Sequence, residues 1–205
     1  DLLLEPVGRN SAPAIAAACL LSNADTLILA MPADHLIEDT DAFLRAVELG
    51  ADAAAIGSIV TFGVIPDHPA TGYGYIKASG SQTPRAVERF VEKPERATAE
   101  AYLKDGGYFW NAGIFLFRAD TMLDAFRAHA PDILKGVEHA LSADGLDRAR
   151  FEAVRAQSID YAVLEHAANI AVVPVAMGWS DLGDFRALHG AERDRRADSA
   201  VVLGR

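Results

Sequence analysis

The apolar and polar positions of this 205-residue chain switch repeatedly between a strand rhythm and a helix rhythm. Thr26 to Met31 is a continuous apolar run ended by Pro32, and such a run suits a strand of a parallel sheet covered on both faces. Ile56 to Ile65, Ile114 to Phe117 and Ile170 to Val175 read as further strands. Shorter sheet-like pieces stand at Leu2 to Leu4, Tyr75 to Lys77 and Val87 to Glu92. Helical spacing lies between them. Asn10 or Ser11 can cap a helix with Pro13 in its first turn, running to about Ser22. Thr40 or Asp41 can cap the next, with Phe43, Leu44, Val47 and Leu49 as its apolar positions. Glu95 to Lys104 reads as a helix stopped by Asp105-Gly106-Gly107. Asp120 caps another through His129, and Pro131 opens one to Leu141. Ser158 to His166 has helical spacing, and a turn with a short helix follows over Asp181 to Glu192. Ala200 to Leu203 starts a new strand after the charged stretch Glu192 to Asp198.

Strands alternating with helices predict an α/β fold with a mostly parallel, mixed sheet and helices on both faces. Ligands of such sheets bind outside the C-terminal strand ends, and Asp34 sits just past one. Pro66 to Gly74, rich in Pro, Gly, Asp and His, interrupts the alternation as a loop.

Composition narrows the picture. Hydrophobic residues make up 51% of the chain, enough for a substantial core, and the length allows one domain, or one and part of another. The net charge of −10 argues against nucleic acid and against anionic membrane surfaces, which call for basic patches. It leaves nucleotide substrates open, because carboxylates can hold a divalent ion that carries phosphate charge. Cys19 stands alone in an Ala/Leu helix, which excludes an intrachain disulfide and reads as a buried thiol. With no signal peptide and no bilayer-length apolar run, the cytoplasm is the expected compartment.

The chemistry concentrates in a few short blocks. Phe90-Val91-Glu92-Lys93-Pro94 ends a strand with an acceptor beside a cation, suited to sugar hydroxyls and to a phosphate. Seventeen residues after Lys93 come Trp110-Asn111-Ala112-Gly113. Pro32-Ala33-Asp34-His35 follows an apolar strand, Thr71-Gly72-Tyr73-Gly74-Tyr75 is a Gly-rich turn, and Gly178-Trp179-Ser180-Asp181 carries a second Asp. Spacing alone reads Asp34 as a helix-cap or turn carboxylate, Gly72 and Gly74 as turn glycines, and the Glu92–Lys93 pair as solvated surface. Tyr73, Tyr75 and Trp110 could stack on a sugar, though aromatics at sheet positions are more often core.

These blocks, in this order, resemble the sugar-1-phosphate nucleotidyltransferases, and among them the mannose-1-phosphate guanylyltransferases. The resemblance runs from Glu5 to about Ala187, and its most specific block is Glu5-Pro6-Val7-Gly8-Arg9-Asn10-Ser11-Ala12-Pro13-Ala14. It implies a Rossmann-like, GT-A-like fold over residues 1–193, with 194–205 as linker or the start of a C-terminal β segment. It also implies transfer of GMP from GTP to mannose-1-phosphate, giving GDP-mannose and pyrophosphate. Asp34 and Asp181 are then the ligands of a Mg2+ ion and, with Lys93, the catalytic set. Glu92, Asn111, Gly72 and Gly74 are implied to bind the sugar phosphate, and Arg9, Asn10 and Ser11 the nucleotide. His35 is read as a neutral residue orienting its turn, and Asp160 and Glu165 as supporting residues. Ser11 stands where Thr is common in the family, and Asp184 and Phe185 where Ser and Trp are frequent. A homodimer is compatible with the resemblance.

The family's Gly-rich phosphate loop has no counterpart here, since neither a G-x-G-T-R nor a G-x-x-x-x-G-K-[ST] run occurs. Together with the start at Asp1, without Met, this reads as an internal fragment of a longer enzyme lacking its first strand. Three other readings stay open: the same fold acting on another sugar or nucleotide, a non-catalytic interaction subunit, and a glycosyltransferase. The last usually carries a D-x-D motif, and Asp39-Thr40-Asp41, the sole match, looks like a helix cap.

Overall fold

Asn10 accepts a hydrogen bond from the amide of Ser11 and opens the first helix, and Asp39 does the same for Ala42 at 2.8 Å in the second. The computed structural model of the chain describes residues 2–181. In chain order the elements are α1 (Ser11–Leu20), β1 (Leu27–Ala30), β2 (His35–Ile37), α2 (Thr40–Ala55), β3 (Ile59–Val64), β4 (Tyr75–Lys77), β5 (Arg85–Ala86) and β6 (Arg89–Val91). They continue with α3 (Arg96–Asp105), β7 (Tyr108–Arg118), α4 (Ala119–His129), α5 (Pro131–Ala140), β8 (Leu141–Ser142), β9 (Gly145–Leu146) and α6 (Arg148–Glu152). A π-helical turn at Asp160–Leu164, β10 (Ile170–Pro174) and β11 (Trp179–Asp181) complete them.

The long β7 organises the main sheet, whose order is β5-β10-β3-β7-β4-β6, with β1 also pairing with β7. One side of β7 carries β3; the other carries β4 near its start and β1 near its end. Alternation along β3 and β7 feeds two cores. Ile59, Phe115 and Phe117 face α1, α4, α5 and the π-helical turn. Val60, Phe62, Ile114 and Leu116 face α2. Helices therefore cover both faces, as the pattern predicts. Cys19 is fully buried in the first core, and burial raises its thiol pKa to about 12, so it is a packing residue and no nucleophile at neutral pH.

Several expectations are corrected. The α/β class and the mixed sheet stand, but among the described strands only β3 and β10 pair in parallel, and the other pairings of the sheet are antiparallel. Thr26 to Met31 misled because β1 runs antiparallel to β7 and alternates between exposed and half-buried positions. Its apolar run reflects a strand with one poorly covered face. Leu2 to Leu4 forms no strand: Leu2 is 83% and Leu4 72% exposed, and Leu3 alone packs on the core. Three apolar residues without a ladder partner cannot hold a strand. Asp120 does not cap α4; it lies inside the first turn, where it pairs with Arg118. Ser158 to His166 winds as a π-helical turn, with the Glu165 amide reaching back to the Asp160 carbonyl at 3.0 Å. The expected helix after Asp181, the strand at Ala200 to Leu203, the boundary at residue 193, and Asp184 and Phe185 lie outside the described residues.

Candidate functional site

A cavity of about 410 Å³ opens between β7, the N-terminus of α1, the loop before β4, the turn after β6 and the π-helical turn. Ser11, Gly72, Gly74, Glu92, Lys93, Asn111 and Asp181 all line it, which gathers the sugar-phosphate block, one acidic residue of the expected metal-binding pair and part of the nucleotide block. Asp160, Tyr73 and His35 line it too. Arg9, Asn10 and Asp34 are not on its wall.

Each placement has a local cause. Strand β6 delivers Phe90 and Val91 to the ladder with β4 and then stops, leaving Glu92 and Lys93 at the rim. Lys93 adopts φ +46°, a left-handed conformation that costs a non-glycine residue about 1–2 kcal/mol. Such strain gathers at functional sites. The turn brings the Lys93 ammonium within 3.1 Å of the Glu92 carboxylate. Burial pushes the Glu92 carboxyl above its ordinary value, and the Asp160 charge pushes the same way. Burial likewise raises Asp160. Lys93 is raised by its bond to Glu92 and is therefore held in the charged form. The site is a half-desolvated acidic pair with one cation at its mouth.

Gly74 and Gly72 differ. The Gly74 carbonyl accepts from the Asn111 amide at 2.8 Å, and a Cβ at Gly74 would come within 2.5 Å of Glu92 Oε2. A side chain at Gly74 would therefore make the flexible Glu92 carboxylate swing aside. A Cβ at Gly72 would meet nothing within 4 Å, so only a ligand could demand glycine there. Tyr75 and Trp110 are core, as the bland reading of sheet aromatics has it, whereas Tyr73 reaches the cavity. The loop is fastened by ring edges: His68 on Trp110, Trp110 on Tyr73, and Tyr73 on Trp179, with centroids 4.8 to 5.1 Å apart.

Strands β2 and β11 pair so that Asp181 lies opposite His35, next in the chain to Asp34. Trp179 Nε1 donates to His35 Nδ1 at 3.1 Å. An indole N–H can only donate, so Nδ1 accepts, and the bond links β11 to β2 through its side chains. A Mg2+ ion fits this donor set in kind: the Asp181 carboxylate at the end of β11 and that of Asp34 in the bend before β2 are hard oxygen ligands. No cluster of three or more ligating side chains occurs among the described residues, so further ligands would be water or substrate oxygens.

The nucleotide block is placed less directly. Arg9 Nε donates to the Val154 carbonyl at 2.8 Å, and Ser11 Oγ accepts from the Ile159 amide at 2.9 Å. Both bonds tie α1 to the segment before the π-helical turn. Asn10 holds φ 70°, ψ −176°, a region used almost only by glycine. That strain, one residue from the cavity wall, could not be read from sequence. Nor could Thr61, a buried hydroxyl within the apolar run of β3 that reaches Asn111. Its one sequence signal is a polar residue in the middle of a buried strand.

Comparison with known proteins agrees with the geometry. The sequence profile of the Nucleotidyl transferase family matches residues 1–197. The chain is 47% identical over 197 residues to the xanthan biosynthesis protein XanB of Xanthomonas campestris pv. campestris strain B100, covering 91% of this chain and 42% of that protein. It is 45% identical over 206 residues to mannose-1-phosphate guanylyltransferase of Escherichia coli K12, covering 92% and 43%. The chain thus spans less than half the length of these curated relatives. Among solved structures, one described as mannose-1-phosphate geranyltransferase from Thermus thermophilus superposes with a TM-score of 0.84 at 36% identity, covering 99% of this chain and 61% of that one. Another, described as mannose-6-phosphate isomerase from Helicobacter pylori, gives 0.80 at 37% identity, covering 87% and 73%. By profile and by fold, the chain belongs to the Nucleotidyl transferase family.

Proposed function

We propose that this chain binds a sugar-1-phosphate and a nucleoside triphosphate and joins them, with GTP and mannose-1-phosphate as the pair. The observation that carries this reading is one cavity lined by Glu92, Lys93, Asn111, Gly72, Gly74 and Asp181 together. The relatives named mannose-1-phosphate guanylyltransferase support the choice of pair. A sugar-phosphate oxygen attacks the α-phosphorus, the bond to the β-phosphate oxygen breaks, and pyrophosphate leaves. Catalysis is alignment and charge neutralisation, with no covalent intermediate.

The residues divide the work. Lys93 meets the sugar phosphate as a point charge, exchanging its bond to Glu92 for one to phosphate oxygen. Glu92 accepts from sugar hydroxyls, and Gly72 lets backbone approach the ring. Asn111 borders the sugar, and Arg9, Asn10 and Ser11 shape the nucleotide side. Asp34 and Asp181 would hold the Mg2+ ion, whose chemistry is to neutralise phosphate charge. The test is to incubate the full-length protein with GTP, mannose-1-phosphate and magnesium and to follow pyrophosphate and the nucleotide sugar. GDP-mannose should form faster than products of other pairs. A higher kcat/KM for glucose-1-phosphate or for UTP would overturn the choice of pair.

A further inference from the structure

Asn111 is 8% exposed, and its carboxamide is almost fully engaged within the protein. The Gly113 amide lies 3.2 Å from Asn111 Oδ1. A backbone N–H can only donate, so this atom is the oxygen and the carboxamide orientation is settled. Thr61 Oγ1 stands 2.9 Å from the same oxygen. The nitrogen then points the other way and donates to Asp160 Oδ1 at 2.9 Å. Asp160 lines the cavity, whereas Thr61 is fully buried and does not. The hydroxyl of Thr61 has one further acceptor in reach, the Ile114 carbonyl at 3.3 Å.

From this chain of bonds we infer that Thr61 is a positioning residue for sugar-phosphate binding, acting through Asn111 to hold the Asp160 carboxylate in the cavity wall. The inference rests on the reading of this cavity as the sugar-phosphate site. The chain runs from the floor of the sheet to the ligand. Thr61 and the Gly113 amide both donate to Asn111 Oδ1, which leaves Nδ2 no other orientation. Nδ2 fixes the Oδ1 oxygen of Asp160, a residue of the cavity wall. A second anchor acts from the helix side, where Ser11 Oγ accepts from the amide of Ile159, the residue before Asp160. Asp160 is thus clamped between sheet and helix, and its charge is felt by the Glu92 carboxylate. A buried network of this kind loses more than one bond when a donor is removed, because the abandoned acceptor stays dry.

The experiment compares Thr61→Val with Thr61→Ser in the full-length protein. Valine keeps the β-branched shape but removes the donor, and serine keeps the donor. Thr61→Val should raise the KM for mannose-1-phosphate about tenfold, as expected for one lost buried bond. The KM for GTP should stay within about twofold, and Thr61→Ser should restore most of the difference. Equal rises in both KM values, or a wild-type KM in Thr61→Val, would overturn the inference. A second readout is independent of turnover. The side-chain amide signals of Asn111, followed by nitrogen-15 NMR, should respond to the titration of Asp160 in the wild type and lose that response in Thr61→Val. Identical titration curves in both proteins would also overturn it. Absence of turnover in the wild type, with the NMR difference present, would remove the proposed reaction and leave the positioning role standing.

Discussion

Asp181 stands opposite His35 across the β2–β11 ladder, and His35 is covalently joined to Asp34. The ladder therefore sets Asp181, on the cavity wall, across from the neighbour of Asp34, which is not on that wall. Asp34→Asn and Asp181→Asn should each lower kcat roughly a hundredfold or more at saturating magnesium, the scale for losing one charge-stabilising group. Removing magnesium with a chelator should abolish turnover in the wild type. Wild-type turnover in either variant would free that residue from the role.

Lys93 combines the charge proposed to meet the sugar phosphate with left-handed backbone, and the two can be separated. Lys93→Ala and Lys93→Gly should both raise the KM for mannose-1-phosphate about tenfold to a hundredfold, the scale for one charge-assisted bond. Their stabilities should differ, with the glycine variant about 1 kcal/mol more stable because glycine adopts φ +46° without penalty. Denaturant titration of both variants checks this, and equal midpoints would show that the turn relaxes.

The two loop glycines should respond differently to one methyl group. Gly74→Ala drives a Cβ to within 2.5 Å of Glu92 Oε2 and should cost about 1 kcal/mol, because the flexible carboxylate can swing aside at the expense of its bond to Lys93. Gly72→Ala meets nothing and should leave the melting temperature unchanged. If Gly72→Ala nevertheless raises the KM for the sugar phosphate, ligand approach is the reason for glycine there. Equal melting temperatures for the two variants would contradict the contact at Gly74.

Asp160 is raised by burial above its ordinary value of 3.8. The folded protein then binds a proton more tightly than the unfolded chain. Stability therefore falls as pH rises from about 3.8 through the raised value, above which the penalty is fully present. Glu92, raised for the same first reason, adds to it with the same sign. Asp160→Asn should raise the melting temperature at pH 7 by a few degrees, roughly 2–4 °C for each kcal/mol relieved. The gain should close as the pH falls below about 4. A variant that melts lower than wild type at pH 7 would show that the charged form is the one the fold prefers.

Much of this molecule was legible because its signals are local. Asn10 and Ser11 mark the start of α1, and Pro131 marks that of α5. Glu92-Lys93-Pro94 ends a strand by the chemistry of proline alone. The misreadings concern partners that no short window contains. The apolar run at Leu27 says nothing about whether Phe117 approaches parallel or antiparallel. Ile114 to Phe117 was visible as strand, yet β7 begins at Tyr108, because Trp110-Asn111-Ala112-Gly113 looks like a loop until β3 and β4 hold it. At the site, residue types were legible and their engagements were not. Asn111 read as a ligand for the sugar, whereas most of its carboxamide serves Thr61, Gly113 and Asp160.

The ladder between β3 and β7 slips between Thr61 and Gly63: Thr61 pairs with Phe115, but Gly63 pairs with Asn111. Four steps along β7 answer two along β3, an excess of two residues spanning Ala112 to Ile114, with Gly113 at φ +68°. An even excess preserves the alternation of faces, so Asn111 stays on the side of Thr61 and the aliphatic residues stay on theirs. The strand is consequently unforgiving of length change in a graded way. Deleting one residue from this bulge would turn every side chain before it to the opposite core. Deleting two would restore a plain ladder with Asn111 still opposite Gly63, yet remove the turn from which the Gly113 amide reaches Asn111 Oδ1.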